Sequence, residues 1–299
     1  MKFLEKHPLI MIVIGIAGIS LSAIFVKYSQ APSVVTAFYR LAWTVVLMTP
    51  VVLGKKECRQ ELMGANRRTV LLCAASGLFL ALHFTSWFES LTMTSVASST
   101  AISCTEVIWV AMGYALFLKG KVSLAAVGTI FVTVGGSMLI AFSDYSSGGD
   151  HLFGDILALA AAIFCSVYTL IGRQVSYMST TIYTYIVYVF CALALGLATA
   201  ASGLAFTGYG MRSVMVGFLL SVCSTLLGHS IFSWCLKFLS PSFVSASKLC
   251  EPAVAALFAL FLFNEVPKPL QIMGGAVTIG GVLLYSRVEK KENDKKNCQ

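Results

Sequence analysis

Long apolar runs separated by short polar breaks dominate the chain. A helix needs about 20 apolar residues to cross the hydrocarbon core of a bilayer, and most of the runs are long enough to do so. The breaks carry turn residues or charges, as at residues 31–33 and 119–121. The pattern therefore predicts an all-α integral membrane protein with ten transmembrane helices. We place them near residues 8–28, 32–54, 68–91, 95–118, 122–143, 152–174, 179–202, 212–236, 242–263 and 267–287.

The composition supports a membrane protein. Hydrophobic residues make up 58% of the chain and charged residues only 11%, against roughly 25% charged residues in soluble domains. A soluble protein could not cover so much apolar surface, so we expect these residues to contact membrane lipid. The formal net charge of +8 does not indicate a nucleic-acid partner, because the basic residues cluster in short loops and at the two ends, as in membrane proteins.

The lysine and arginine positions predict an orientation. If the N-terminus is cytoplasmic and the chain crosses ten times, sixteen of the 21 lysines and arginines lie on the cytoplasmic side and three on the outer side. Cytoplasmic loops of membrane proteins carry such an excess, and an odd number of helices would destroy it. We therefore expect a multi-pass protein of the inner or plasma membrane with both termini in the cytoplasm.

The two halves of the sequence resemble each other at an offset of 145 residues. At that offset Glu106 aligns with Glu251, and a Val-Thr-x-Gly-Gly string recurs. Each half, residues 8–143 and residues 152–287, then holds five helices. Because five is odd, the second half would enter the membrane from the opposite side, which is the inverted repeat of many secondary transporters. The polar cytoplasmic tail, residues 288–299, is expected to be disordered.

Ionisable residues within the predicted helices are the first site candidates. A charge inside a bilayer is unfavourable and usually faces a cavity or another charge. Glu106 in helix four and Glu251 at the matching place in helix nine could each bind a proton, anchor a cationic or zwitterionic substrate, or tie two helices together. The candidates are Arg40, His83, Glu106, His229, Lys248 and Glu251.

Two cations in this set have more than one explanation. Lys248 and Glu251 are three residues apart, so they can pair on one helix face; otherwise Lys248 could bind a substrate carboxylate. Arg40, in the middle of helix two, could neutralise a glutamate, contact the substrate or extend its charged end to the membrane interface. The sequence leaves these alternatives open.

Aromatic residues and histidines extend the candidate site. His83 and Trp87 lie four residues apart on helix three, so they share a face that could line a cavity or pack against another helix. Trp109 is three residues after Glu106 and could form the aromatic wall of a pocket for an organic cation or amino acid, or belong to the core. His229 has the same two explanations as His83.

Enzyme signatures are weak or missing. Ser245 and Lys248 match a Ser-x-x-Lys pattern, but its companion motifs are missing and the segment is a predicted membrane helix. The sequence contains no Walker phosphate loop and no His-Glu-x-x-His helix, and no Cys-x-x-Cys pair or Cys/His cluster at zinc spacing. We therefore predict no catalytic residue, no metal site and no cofactor.

Several short motifs, taken in order, resemble those of the EamA-like family of the drug/metabolite transporter superfamily. They are Leu82-His83-Phe84, Trp87-Phe88, Gly228-His229-Ser230, Glu251-Pro252 and Asn264-Glu265. The sequence departs from the family pattern at Val107, where proline is common, near Lys121, where the first half often has a glutamate, and at Ser233, where asparagine is common. The missing proline removes the usual reason for a kink in helix four.

The resemblance implies two inverted five-helix repeats around a central cavity that includes His83, Trp87 and Glu106. It also implies movement of amino acids or other small metabolites, often export and often driven by a proton gradient. We therefore expect a secondary transporter with a small-molecule substrate and protons as the candidate coupling ion. A lipid-linked or nucleotide-sugar carrier, with a larger or laterally open cavity, is one alternative; a membrane-embedded enzyme is another. The sequence indicates no oligomeric state.

Overall fold

The structure is a computed structural model that describes residues 7–94, 96–144, 152–263 and 268–297. Ser95, the break predicted at residues 145–151 and the Asn264-Glu265 motif lie outside the described residues. All elements within the described ranges are helices. In chain order they are α1 (Pro8–Ser20), α2 (Ser22–Lys27), α3 (Ser33–Gly54), α4 (Lys56–Gly64), α5 (Arg67–Met93), α6 (Val96–Ser103), α7 (Glu106–Phe117), α8 (Leu124–Asp144), α9 (Leu152–Gln174), α10 (Thr180–Ala201), α11 (Gly210–Leu219), a π-helix (Leu220–His229), α12 (Ser230–Cys235), α13 (Pro241–Lys248), α14 (Glu251–Phe263) and α15 (Pro269–Asn297).

Eight helical stretches among the described residues are long and apolar enough to cross a membrane, and each coincides with a predicted span. The two other predicted spans are helical as well. The span near residues 122–143 is α8, whose apolar stretch Leu124–Leu139 is shorter, and the span near residues 242–263 is divided between α13 and α14. The all-helical membrane architecture is thus confirmed, whereas the count of ten spans stays a prediction.

Apolar and polar side chains are distributed as a bilayer requires. Large apolar side chains are exposed on the outside of the bundle, with Leu124, Phe117 and Phe261 at 87%, 77% and 79% exposure. The interior instead buries many hydroxyl groups. These donate to carbonyls of the preceding turn, as Thr44 Oγ1 does to Arg40 O at 2.8 Å. The hydrocarbon core of a bilayer favours this distribution, because it offers no hydrogen-bond partner to polar groups and accepts apolar side chains.

Two of the predicted helices are broken at equivalent places. α6 ends and α7 begins at residues 103–106, and α13 ends and α14 begins at residues 248–251. The two breaks coincide at the offset of 145 residues found in the sequence. The first predicted helix is also interrupted, between α1 and α2.

The two equivalent breaks have different local causes. Pro252 has no backbone N–H and therefore weakens the helix that precedes it. Val107 occupies the corresponding place in the first half, yet helix four breaks all the same. There, Thr105 Oγ1 donates to Ile102 O at 2.6 Å, and a hydroxyl that bonds a carbonyl one turn back competes with the regular helix ladder. A kink in helix four therefore does not depend on proline.

The ends of two segments differ from the sequence prediction. The gap between the predicted helices 32–54 and 68–91 contains α4, a surface helix with no buried residue. α15 continues to Asn297, beyond the end predicted near residue 287, so the tail expected to be disordered is helical as far as that residue. Lysine and glutamate are good helix formers, which lets the helix run on through the charged tail.

Two hydrogen bonds reach the connection between α9 and α10, one from α4 and one from the segment between α12 and α13. Glu61 Oε1 accepts from the Ser179 backbone N–H at 2.6 Å, and Lys237 Nζ donates to Met178 O at 2.5 Å. Burial lowers the pKa of Lys237, while the nearby Glu61 carboxylate opposes that shift. The basic loops on this side of the bundle are therefore tied to its helix ends.

α8 and α15 pack through two reciprocal glycine contacts. A Cβ placed on Gly136 would lie 2.5 Å from Thr278 Oγ1, and a Cβ on Gly281 would contact Thr133 Oγ1. At the 145-residue offset Gly136 corresponds to Gly281 and Thr133 to Thr278, so each contact is the counterpart of the other. A Cβ on Gly135 would meet nothing within 4 Å. Small residues let membrane helices approach closely. Within the Gly135-Gly136 pair, glycine is therefore needed at Gly136 and not at Gly135.

Replacement of Gly136 by alanine is expected to lower the thermal stability of the detergent-solubilised protein. The added methyl must displace Thr278, including its backbone N at 2.7 Å, and such overpacking costs about 1–3 kcal/mol. Gly135→Ala is the matched control and is expected to leave the melting temperature unchanged or slightly raised. Equal melting temperatures for the two variants would show that the α8–α15 contact is looser than described.

Candidate functional site

A small cavity of about 50 Å³ lies within the bundle. All three broken helices, α1/α2, α6/α7 and α13/α14, contribute residues to it, and nearly all of its lining side chains are buried. It is lined by Ile19, Ser22, Arg40, His83, Trp87, Thr100, Ser103, Cys104, Glu106, Cys165, His229, Lys248 and Glu251. The structure thus brings together seven of the eight site residues predicted from the sequence.

A buried ion pair joins the two halves of the chain at this cavity. Lys248 Nζ lies 3.0 Å from Glu106 Oε1 and 3.1 Å from Glu106 Oε2. The same carboxylate accepts hydrogen bonds from Thr169 Oγ1 and Ser245 Oγ, each at 3.0 Å. Glu106 is therefore neutralised and well supplied with donors, which is the geometry that makes a buried charge tolerable.

The helix breaks place these charges where the backbone favours them. Glu106 is the first residue of α7 and Glu251 the first residue of α14, while Lys248 is the last residue of α13. Free N–H groups and the helix dipole favour an anion at an N-terminus, and free carbonyls favour a cation at a C-terminus. The two breaks therefore create charged sites in the middle of the bundle without long polar segments.

The pairing of Lys248 with Glu251 that the spacing allowed is not what the structure shows. Lys248 pairs with Glu106 across the two halves instead. The helix breaks between Lys248 and Glu251, so the spacing rule for residues within one helix does not apply to them. Among the described residues, no hydrogen bond or ion pair reaches the Glu251 carboxylate; its backbone carbonyl accepts from Ser20 Oγ at 3.2 Å.

Arg40 is 1% exposed and lines the same cavity. Its Nε donates to Thr225 Oγ1 at 2.7 Å and its Nη1 to Ser22 Oγ at 3.2 Å. Its Cζ lies 4.1 Å from the centroid of the Phe84 ring. The π-helix supplies the first of these partners. Arg40 therefore neither reaches the membrane interface nor pairs with a described glutamate.

His83, Trp87 and His229 form an aromatic part of the wall. The His83 and Trp87 rings are stacked with an interplanar angle of 5°, and the two histidine rings are 6.2 Å apart. His83 Nδ1 lies 2.9 Å from the backbone carbonyl of Ala161, so Nδ1 carries the proton when the ring is neutral and Nε2 is the free acceptor. The π-helix ends at His229 and brings that ring to the cavity.

Trp109 is the predicted site residue that does not line the cavity. It is half-buried on α7. Three residues turn a helix by about 300°, so Trp109 is displaced by about 60° from the direction of Glu106. Its role as an aromatic wall for a substrate is therefore not supported by its position.

Several hydroxyl residues at the site were missed from the sequence. They are Ser22, Thr100, Ser103, Thr169, Thr225 and Ser245. Serine and threonine are common in membrane helices, where their hydroxyls bond the preceding turn, so their presence alone indicates nothing. The Ser245-x-x-Lys248 spacing, set aside as an enzyme motif, was a usable signal, because it places both side chains on Glu106.

Four buried polar atoms of the cavity residues have no hydrogen-bond partner among the described residues. They are Arg40 Nη2, Trp87 Nε1, Thr100 Oγ1 and His229 Nδ1. Buried polar groups in folded proteins almost always have a partner. The concentration of such atoms at one cavity leaves donors and acceptors there that water or a polar ligand can satisfy.

Comparison with known families confirms the family resemblance seen in the sequence. Residues 152–287 match the model of the EamA-like transporter family. The matched segment is the second of the two halves predicted from the 145-residue offset.

Relatives by sequence extend over most of the chain. An uncharacterized transporter of Clostridium kluyveri is 22% identical, and the alignment covers 90% of this chain and 88% of that protein. The pseudopaline exporter CntI of Pseudomonas aeruginosa is 24% identical over 96% of this chain and 98% of the exporter. A probable terminal-alkyne amino-acid exporter of Streptantibioticus cattleyicolor is 26% identical over 73% of this chain and 72% of that protein.

The fold also matches a solved crystal structure. The TM-score is 0.77, and the match covers 95% of this chain and 99% of the other at 14% sequence identity. At that identity the match shows a shared fold and carries no information on function.

Proposed function

We propose, from the EamA-like transporter match of residues 152–287, that this chain is a secondary transporter that exports amino acids or similar small metabolites. The observation that carries the proposal is the set of four unpartnered polar atoms at a buried cavity that also holds two acidic and two basic side chains. A small molecule that carries a positive group, a negative group and several hydrogen-bonding groups would complement the side chains that line this cavity. One of the relatives is named as a pseudopaline exporter and another as a probable terminal-alkyne amino-acid exporter.

The size of the cavity supports transport by alternating access. A volume of about 50 Å³ holds roughly three to five waters, whereas pockets that bind small molecules usually measure about 300–1,000 Å³. The conformation described here is therefore too closed for an amino acid. The helices must move for the cavity to open toward either side of the membrane. The breaks between α6 and α7 and between α13 and α14 can act as hinges for that movement.

The repeat and the charge distribution support the same scheme. The equivalent breaks and the reciprocal α8–α15 glycine contacts agree with two inverted five-helix repeats, residues 8–143 and residues 152–287. Such repeats let a transporter present one midplane site to each side in turn. The excess of basic residues in alternate loops supports an orientation with both termini in the cytoplasm of an inner or plasma membrane.

Glu251 is the proposed proton-binding residue. Its carboxylate has no described hydrogen-bond or ion-pair partner, whereas Glu106 is held by Lys248. A carboxylate that can be neutral or charged in different conformations couples proton movement to the transport cycle. The other charged and titratable groups at the same cavity are Arg40, His83, Cys104, Glu106, Cys165, His229 and Lys248.

A lipid-linked or nucleotide-sugar carrier is the alternative transporter. Those substrates are larger and need a wide or laterally open cavity, whereas nearly all of the residues that line the described cavity are buried. The closed conformation holds neither class of substrate, so its volume does not distinguish them and a transport assay must. The site also carries no arrangement of groups that we recognise as a catalytic constellation, which disfavours the membrane-embedded enzyme.

Efflux from whole cells tests export directly. Bacteria that express the chain are preloaded with radiolabelled amino acids, and loss of label is followed after dilution. We expect at least one amino acid to leave faster than from cells carrying the empty vector. Unchanged efflux of every amino acid, with the protein present in the membrane fraction, would contradict the proposal and favour the larger lipid-linked or nucleotide-sugar substrates.

A further inference from the structure

Arg40 is a buried cation without a described carboxylate partner. The guanidinium is within a predicted membrane span and is 1% exposed. Among the described residues the ion pair found at the cavity joins Lys248 to Glu106 and leaves Arg40 out. The Glu251 carboxylate lines the same cavity and attracts the guanidinium electrostatically, but no hydrogen bond joins the two side chains among the described residues. A buried cation whose donors are not fully satisfied is typical of a functional site in a membrane protein.

The hydrogen-bonding neighbours of Arg40 orient the guanidinium but carry no charge themselves. Thr225 Oγ1 accepts from Nε and Ser22 Oγ accepts from Nη1, and both acceptors are uncharged hydroxyls. The Phe84 ring lies under Cζ at 4.1 Å and restrains the guanidinium plane. Nη2 is left without a partner, on a residue that lines the cavity. The side chain is therefore fixed in place with donors still available.

We propose that Arg40 binds the carboxylate of the transported molecule, so that the substrates are small carboxylates, amino acids among them. This inference rests on the proposed transport function. A guanidinium presents parallel N–H donors that match the two oxygens of a carboxylate. A substrate carboxylate would supply the missing acceptor for Nη2, and it would replace the negative charge of Glu251 when that carboxyl group is protonated. Lys248, the other cavity cation, is already bound to Glu106.

The contribution of Arg40 is measurable as discrimination between a carboxylate and its neutral derivative. Purified protein in liposomes is given a labelled amino acid found to be transported, together with its primary amide and its decarboxylated amine. Hydrogen bonds to charged groups contribute enough to change rates by about 10- to 100-fold. We therefore expect wild-type transport of the amide and the amine to be slower than transport of the acid by at least about tenfold.

Substitutions at Arg40 should remove this discrimination selectively. Arg40→Gln is expected to lower transport efficiency for the acid by about 100-fold while changing that for the amide by less than about threefold. Arg40→Lys keeps the charge but loses the planar fork, so the KM for the acid should rise by about tenfold with little change in maximal rate. If Arg40→Gln does not fold, the double variant Ser22→Ala/Thr225→Val releases Arg40 from its two acceptors, and the acid alone should show a raised KM.

The outcomes separate the two proposals. If the folded wild-type protein moves no small molecule at all, the proposed function fails. If wild type moves acid, amide and amine equally well, or if the Arg40 variants lower transport of acid and amide by the same factor, transport stands and the carboxylate assignment is wrong. A selective loss for the acid supports the assignment, because a merely structural arginine would affect all three compounds alike.

Discussion

Replacement of Lys248 by methionine is expected to reduce the folded yield of the protein severely. The change leaves the Glu106 carboxylate buried with only hydroxyl donors, Thr169 Oγ1 and Ser245 Oγ. Removal of one partner from a buried ion pair costs about 3–5 kcal/mol, a large part of the stability of a typical domain. The measurement is the melting temperature and the monodisperse fraction in detergent. Lys27→Met is the matched control, because Lys27 is exposed, and it should behave as wild type.

The double variant Glu106→Gln/Lys248→Met distinguishes a buried charge from a simple loss of packing. With both charges removed, the unfavourable lone carboxylate disappears, so much of the stability should return. A positive coupling energy in the double-mutant cycle would demonstrate the pair, because residues in direct contact are not additive. A double variant as unstable as the sum of its single variants would show that the 3.0 Å contact contributes nothing.

Replacement of Glu251 by glutamine is expected to uncouple transport from the proton gradient. Glutamine resembles a permanently protonated glutamate, so the site can no longer bind and release a proton in the cycle. For one proton per substrate, a gradient of one pH unit supports about a tenfold accumulation. In liposomes the variant should still exchange labelled for unlabelled substrate, but the pH gradient should no longer drive accumulation.

A matched control for Glu251 comes from another glutamate in a membrane helix. Glu89 is near the end of α5 and does not line the cavity, so Glu89→Gln should retain gradient-driven accumulation. Glu106→Gln tests the alternative that Glu106 carries the proton. If Glu251→Gln accumulates substrate as wild type does, while folded Glu106→Gln still exchanges labelled for unlabelled substrate but no longer accumulates it, the coupling role belongs to Glu106.

The membrane architecture follows from features that are local in the sequence. Apolar runs of sufficient length and basic breaks predict the helices, and eight of the predicted spans are recovered with closely similar bounds. The equivalence of Glu106 and Glu251 was visible at the 145-residue offset and reappears as equivalent helix breaks. The identity of the buried ionisable residues was likewise predictable, since charges in apolar runs are few.

The partners of those residues were not predictable in the same way. Glu106 and Lys248 are 142 residues apart in sequence, whereas spacing rules apply only within one helix, so the sequence suggested Glu251 or a substrate carboxylate, and not Glu106, as the partner of Lys248. The bounds of the π-helix and the break before Glu106 depend on backbone hydrogen bonds and on Thr105, not on an amino acid with a strong helix-breaking tendency. For Trp109 the spacing allowed a cavity wall or a core position, and only the arrangement of the neighbouring helices shows that it lies outside the cavity lining.

Reconstitution of purified protein in liposomes tests the central claim most directly. Labelled amino acids are supplied with and without a pH gradient, and internal label is measured against protein-free liposomes. We predict gradient-driven accumulation of at least one amino acid, which collapses when the gradient is dissipated. If folded protein produced no flux of any amino acid or small metabolite under either condition, the proposal that the cavity around Arg40, Glu106 and Glu251 carries such molecules across the membrane would be wrong.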